Sequence, residues 1–268
     1  MQNFAWHAQR PAVFPSMLHP GLREGLYPGW CCVRDILVHM CGRFARSSKP
    51  DVIIREFGVQ KALISPEPSY NIAPSQDVAV IRVIGEKQLV TCRWGFVSSW
   101  AKDSETGYKM INARSETVAE KPAFRESLLK DRCLVIADGF FEWQRHEKKK
   151  MPYYIRLTSG RPFGLAGLCN AWTSPEKEVI CTFTVITTNA NELLAPVHDR
   201  MPVIIPKEKE DLWLDPDMQD KGILCGLLRP YPAVEMEMYP VSPNVNSPGY
   251  NVPEALKPVL REGWRKTP

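Results

Sequence analysis

The sequence predicts an α+β fold: one domain with a mixed, mostly antiparallel, barrel-like sheet and flanking helices. Strand-like runs follow one another through short turns. Helix-like runs are few and unevenly spaced. The regular strand–helix alternation of a doubly wound parallel sheet is missing. A chain of 268 residues suits one large domain or two small ones, and nothing after residue 40 reads as a linker or an internal repeat.

The elements are read in chain order. "RSSKPDVIIREFG" predicts a short helix, with Ser48 as N-cap, Pro50 in the first turn and Gly58 as the stop. "DVAVIRVI" and "QLVTCRW" predict two strands joined through "GEK". "KPAFRESLLKD" reads as an amphipathic helix. "CLVIADGFFEW", "MPYYIRL", "PFGLAGLCNAW" and "TFTVITT" are further strand candidates, and Lys148, Lys149 and Lys150 fit a solvated hairpin tip. "KEKEDLWLD" predicts a surface helix, and "VEMEMYPV" alternates like a half-exposed strand.

Bulk properties exclude some functions. The composition, 44% hydrophobic and 24% charged, is that of a water-soluble globular protein. The net charge of +4 hints at an anionic partner but falls short of a dedicated duplex-coating protein. No apolar run approaches the ~20 residues of a membrane span. The eight cysteines contain no CxxC pair, which argues against a zinc site. Cys92, Cys133, Cys169, Cys181 and Cys225 lie in mostly apolar surroundings and are expected to be reduced and mostly buried, as in a reducing cytoplasm. Residues 1–39 are rich in proline and glycine, with little periodicity and no secretory pattern. They are expected to be disordered or not natively made, leaving 40–268 as the domain.

Four stretches combine reactive side chains with glycine, proline or aromatic neighbours: "MCGRFAR" (40–46), "MINARSE" (110–116), "DGFFEW" (138–143) and "PVHDRMP" (196–202). Glu142 follows a mostly apolar run and sits between Phe141 and Trp143, so burial should raise its pKa toward that of a neutral-pH acid/base. His198 lies in a proline-bounded loop with Asp199 and Arg200, where a rigid scaffold can present polar groups. Taken singly, each has an ordinary structural reading. Asn112 could cap a turn, Arg43, Arg114 and Arg200 could be surface charges, and Trp94, Trp100 and Trp143 could be core.

Together the motifs "MCGRF", "YNIAPSQ", "RWGF", "INARSET", "CLVIADGFFEW" and "HDRMPVII", in that order over roughly residues 40–240, closely resemble the SRAP family of abasic-site-processing, SOS-response-associated peptidases. The resemblance implies a cysteine, here Cys41, that follows the initiator methionine and crosslinks as a thiazolidine to abasic sites in single-stranded DNA. It implies that Asn112 positions this cysteine, that Glu142 is the acid/base and that His198 opens the sugar or assists reversal. Arg43, Arg114 and Arg200 would bind phosphates, Trp94 and Trp143 would stack on or wedge against bases, and Asn71 and Pro74 would lie along the DNA. No metal or organic cofactor is implied. The expected setting is a cytoplasmic monomer, nucleoid-associated during damage if bacterial.

The sequence departs from the family at one point, because Cys41 is internal. Three expectations follow: translation begins at Met40, the Met40–Cys41 bond is cut, or the extension stays and the protein only binds DNA. Two rival functions remain: a cysteine peptidase using Cys41 and His198, and a non-catalytic single-strand binding module.

Overall fold

The computed structural model describes residues 41–101, 103, 107, 110–146 and 149–259. Residues 1–40, the segment expected to be an extension together with Met40, lie outside the described residues, as does Lys148. Phe44–Arg46 form β1, followed by α1 (Pro50–Phe57), β2 (Lys61–Ala62), β3 (Ser69–Ile72) and the hairpin of β4 (Asp77–Ile84) and β5 (Glu86–Trp94). Next come β6 (Asn112–Arg114), α2 (Arg125–Lys130), β7 (Arg132–Ala137), β8 (Gly139–His146), β9 (Lys149–Leu157), β10 (Phe163–Thr173) and β11 (Val179–Asn189). The C-terminal part carries β12 (Arg200–Pro202), β13 (Ile204–Ile205), α3 (Glu210–Leu214), α4 (Lys221–Gly226) and β14 (Met236–Pro240).

The strands form two sheets. The first runs β14-β9-β8-β1-β3 with every pairing antiparallel. The second closes on itself. β4, β7, β10 and β11 pair in turn as antiparallel neighbours, and β5 pairs antiparallel with β4. β5 then meets β11 in parallel at Arg93–Thr182 and Trp94–Phe183, which completes a five-strand barrel. β6 and β12 attach to β11, β13 to β10 and β2 to β5. The mixed, mostly antiparallel α+β architecture expected from the sequence is the one found.

Strand periodicity sorts the side chains into two apolar layers. Val80, Cys92, Trp94, Val135, Leu165, Phe183 and Val185 face one cluster, which Phe44 and Phe140 of the first sheet also enter. Ile81, Leu134, Ile136, Ala166 and Ile186 face the other, covered by Ile53 and Phe57 of α1, Leu128 of α2 and Trp213 of α3. β7 is therefore buried at all six positions, which explains its unbroken apolar run. The expected helix "KEKEDLWLD" is a 3₁₀ turn leading into α3. It is not wholly a surface element, because Trp213 is buried and donates to the Cys133 carbonyl (2.9 Å).

"CLVIADGFFEW" is not one strand. It crosses from barrel to first sheet at Asp138, between β7 and β8. Asp138 accepts from the Ser48 backbone N–H (2.8 Å) and from its hydroxyl. Ser48 is thus spent on the crossover and is not the N-cap of α1; Lys49 occupies that place. Gly58 ends α1 as expected, at φ 61°. At the crossover Gly139 is required for another reason: a Cβ there would lie 2.3 Å from the Tyr154 ring and 2.6 Å from the Ile155 carbonyl. Gly139→Ala is expected to cost ~1–3 kcal/mol through overpacking, read as a lower urea midpoint at unchanged m-value.

The cysteines correct one expectation. Cys133 and Cys169 are free and buried and Cys225 is half-buried, but Cys92 and Cys181 form a disulfide. The parallel contact of β5 with β11 brings their Cα atoms to 4.8 Å although 89 residues separate them. No local spacing signals such a pair.

Candidate functional site

Cys41 lies just before β1, the strand held between β3 and β8. The pairing continues upstream of β1, where the Phe141 N–H donates to the Arg43 carbonyl (2.9 Å). Cys41 is only 2% exposed. Asn112 reaches it from the barrel. β6 lies parallel to β11, with Asn112 opposite Val185, and the Asn112 Nδ2 donates to the Cys41 carbonyl (2.9 Å). The Asn112 Oδ1 is buried and has no hydrogen-bond partner among the described residues.

Glu142 sits on β8 opposite Tyr153, 3% exposed, and its Oε1 is likewise unpartnered among the described residues. Burial pushes its carboxyl up to about 8; a hydrogen bond from the Trp143 backbone opposes this and the nearby Asp199 charge adds to it. Burial also pushes the Cys41 thiol well up, the Glu142 charge adds to this, and a hydrogen bond from the Arg43 backbone offsets part of it. Cys41 and Glu142 therefore sense each other's charge in a poorly solvated site.

His198 ends the turn after β11 and precedes β12. Its N–H donates to the Leu194 carbonyl (3.0 Å), and the Gln144 side chain on β8 donates to Pro196 O (3.2 Å), tying this loop to the strand of Glu142. The His198 Nδ1 accepts from the Arg200 N–H (3.0 Å) and lies 3.1 Å from Asp199 Oδ1. These contacts all engage Nδ1. No thiol–imidazole contact between Cys41 and His198 is found among the described residues.

The predicted DNA contacts divide. Arg43 is part-buried: its Nη1 donates to Asn71 Oδ1 and to Val245 O (2.8 Å each), and its guanidinium lies 5.8 Å from the Trp143 ring centroid. Trp143 is half-buried and donates to Asn246 Oδ1 (2.7 Å), Pro74 is half-buried, and Arg114 is exposed.

Three predicted contacts are engaged within the protein. Trp94 is buried among Phe44 (5.1 Å) and Phe183 (6.1 Å) and donates to Ile111 O (2.9 Å), so it has no face for a base; it fixes the backbone next to Asn112. Asn71 is 1% exposed, and its amide donates to Val245, Ser247 and Tyr250 carbonyls, so it holds the 243–251 segment. Arg200 is drawn into a two-pronged pair with Glu116 (2.6 and 3.0 Å) and bonds to Thr187 O (2.6 Å) and Asn189 Oδ1 (3.0 Å). The Thr187 and Asn189 bonds tie β12 to β11 beside His198, and the Glu116 pair ties it to the segment after β6. The Arg200 bond holds the Glu116 carboxyl below its ordinary value. A double-mutant cycle of Arg200→Ala and Glu116→Ala is expected to give a coupling of about 1 kcal/mol in denaturant unfolding, the scale of a partly exposed pair.

Glu116, which orders the arginine, was not singled out by the sequence; only its place in "INARSET" hints at it. Trp100 is 72% exposed, an aromatic face left open beside the barrel strands.

A buried cysteine thus lies beside an amide and a high-pKa carboxyl, at the seam of a barrel and a second sheet. The family comparison gives it a lineage. A sequence model of the family described as "SOS response associated peptidase (SRAP)" matches residues 40–248, and the chain belongs to that family. It is 48% identical over 222 residues to the "Abasic site processing protein YoqW" of Bacillus subtilis (strain 168), covering 81% of this chain and 99% of that protein. It is 32% identical over 227 residues to the "Abasic site processing protein HMCES" of Xenopus tropicalis, covering 72% of this chain and 67% of that protein. A crystal structure of a Bacteroides thetaiotaomicron protein superimposes with a TM-score of 0.76 at 28% identity, over 82% of this chain and all of that one.

Proposed function

We propose that the protein processes abasic sites in single-stranded DNA by covalent capture, with Cys41 as the N-terminal residue of the active form. The carrying observation is the pair of buried acceptors without a partner among the described residues, Asn112 Oδ1 and Glu142 Oε1, in the two side chains that flank Cys41. A buried polar atom without a partner is costly. A peptide nitrogen offers one N–H, whereas a free α-amine offers two and an α-ammonium three. A released Cys41 amine is the group that would satisfy both acceptors.

The chemistry follows from the groups present. The ring-opened abasic sugar carries an aldehyde at C1′. The Cys41 amine attacks it and gives a carbinolamine. Glu142, neutral over much of the range below pH 8, donates a proton to the departing hydroxyl, and water leaves. The Cys41 thiol then adds to the carbon of the resulting iminium, its proton returning to the Glu142 carboxylate, and a five-membered thiazolidine closes. Amine and thiol sit on adjacent carbons, so closure is intramolecular and strongly favoured. His198, through Nε2, protonates the sugar ring oxygen to open it. Exposed Arg114 and the Arg43–Trp143 pair lie along the backbone path, and Trp100 offers the stacking face that Trp94 lacks. The working unit is taken as a cytoplasmic monomer. Among the described residues no helix is long and apolar enough to cross a membrane.

The rival Cys41–His198 peptidase is disfavoured by the site itself. Burial favours the protonated form of its thiol, the opposite of an activated thiolate. Intact mass, before and after mixing with an oligonucleotide carrying one abasic site, tests the proposal. The expected protein begins at Cys41 and gains one oligonucleotide less one water. A protein that retains residues 1–40 and gains no mass refutes it.

A further inference from the structure

One level of the barrel is rich in sulfur. Cys92 on β5, Cys133 on β7, Cys169 on β10 and Cys181 on β11 each come from a different barrel strand. The first three are buried in one apolar cluster, and the half-buried Cys181 packs against it. The sulfurs of Cys92, Cys169 and Cys181 all lie within 4.8 Å of one another, and those of Cys92 and Cys169 are 4.0 Å apart. Cys169 stands beside the Cys92–Cys181 bond, so the three sulfurs form a triangle. Arg82 is paired with Asp131 (2.9 Å), and its other nitrogen lies 3.7 Å from Cys181 Sγ.

We propose that, once the Cys92–Cys181 bond is reduced, Cys92, Cys169 and Cys181 bind a thiolate-preferring metal ion of the Zn²⁺ or Cu⁺ class. Sulfurs held at ~2.3 Å from a zinc ion stand ~3.8 Å apart. The triangle already has one edge of 4.0 Å and none above 4.8 Å. Opening the disulfide frees Cys92 and Cys181 to separate to that spacing. Thiolate ligands select soft ions over hard ones. The missing CxxC pair is no obstacle, because each ligand is supplied by its own strand.

The balance is simple. Two electrons and two protons open the disulfide; an external dithiol supplies both and leaves as its own disulfide. Metal binding then displaces three thiol protons to solvent. Three thiolates around a divalent ion leave a single net negative charge, and the Arg82 guanidinium stands beside it. Burial pushes the Cys169 thiol up, but hydrogen bonding with Cys133 and the Arg82 charge outweigh it and leave it below its ordinary value. Cys133 is itself pushed well up by burial and stays protonated, an outer partner of the Cys169 ligand. Cys181, next to the exposed Val179, is the side from which an ion enters. The site stands apart from the Cys41 chemistry, and its test does not depend on that chemistry.

The test uses the full chain, reduced with dithiothreitol, freed of it under nitrogen, and titrated with Zn²⁺ or Cu⁺ against a chromophoric chelator. The expected result is one equivalent of at least one of the two ions per chain. Cys169→Ser and Cys181→Ser are each expected to weaken binding by at least about hundredfold, since losing a ligand costs no less than losing an outer partner. Cys225→Ser, on α4, should bind like the parent. Cys181→Ser leaves the fully buried sulfurs in place and reads the loss of a ligand even if Cys169→Ser fails to fold. The proposal is overturned if the reduced chain takes up neither ion, or if the chain with its disulfide intact binds equally well. It is equally overturned if Cys181→Ser binds as tightly as the parent.

Discussion

Glu142→Gln is expected to slow adduct formation with an abasic oligonucleotide by roughly 10²–10⁴-fold, the usual contribution of a positioned acid/base, and to make the protein more stable above neutral pH. Both effects have one cause. The carboxyl is buried, its Oε1 has no partner among the described residues, and burial pushes it up from 4.5 to about 8. The folded state therefore holds a proton that the unfolded chain loses. Stability is full below about 4.5, falls as pH rises from there and levels off beyond about 8, with a cost of roughly 3 kcal/mol by pH 7. Glutamine has the same shape and never ionises, so its unfolding free energy lacks this fall. The rate profile changes too. In the parent protein the rate should decline as pH rises through about 8 and the acid loses its proton. The variant should lack that limb. Single-turnover crosslinking and urea unfolding at pH 5, 7 and 9 read both effects. A variant that is slower and less stable at every pH would mean that Glu142 is a structural residue.

The second large effect is expected at Cys41. With a free N-terminus, Cys41→Ser should abolish the heat-stable adduct and leave at most an imine that borohydride can trap. N-acetylation of the unaltered protein should abolish both species, because an amide nitrogen does not condense with an aldehyde. An α-amine titrates near ~8 and a lysine near ~10.4, so far more of the former is nucleophilic at pH 7. A heat-stable adduct from acetylated protein would move the chemistry to another residue. Denaturing gels of the three proteins with the same oligonucleotide decide the matter.

The fold class was legible in the sequence because the strands carry clear periodicity and turn residues. "DVAVIRVI" and "QLVTCRW" became β4 and β5 almost residue for residue. The raised carboxyl of Glu142 was legible as well, since two aromatic neighbours and an apolar run announce burial before any coordinates exist. What stayed hidden depends on distant partners. Trp94 looks like a stacking platform until β11 is laid beside β5 and Phe183 covers it. Asn71 and Arg200 look free until the 243–251 segment and Glu116 arrive from far along the chain. The break at Asp138 was invisible because a strand leaving one sheet and a strand entering another share the same alternation. The Cys92–Cys181 bond was hidden for a similar reason: a parallel contact between strands 89 residues apart leaves no local trace.

The reactive groups are divided between the two sheets. Cys41 precedes β1 and Glu142 lies on β8, while Asn112 and His198 hang from the barrel strand β11 through β6 and the loop before β12. Neither sheet holds a working set alone. A chain emerging from the ribosome would expose its cysteine early, yet the carboxyl and the amide become useful only after some hundred further residues have paired and the sheets have docked. Under the proposed chemistry a half-folded molecule would capture aldehydes only at the slower rate of an unassisted N-terminal cysteine. The seam works as a coincidence lock, and the reaction itself becomes an assay for whether both keys have turned.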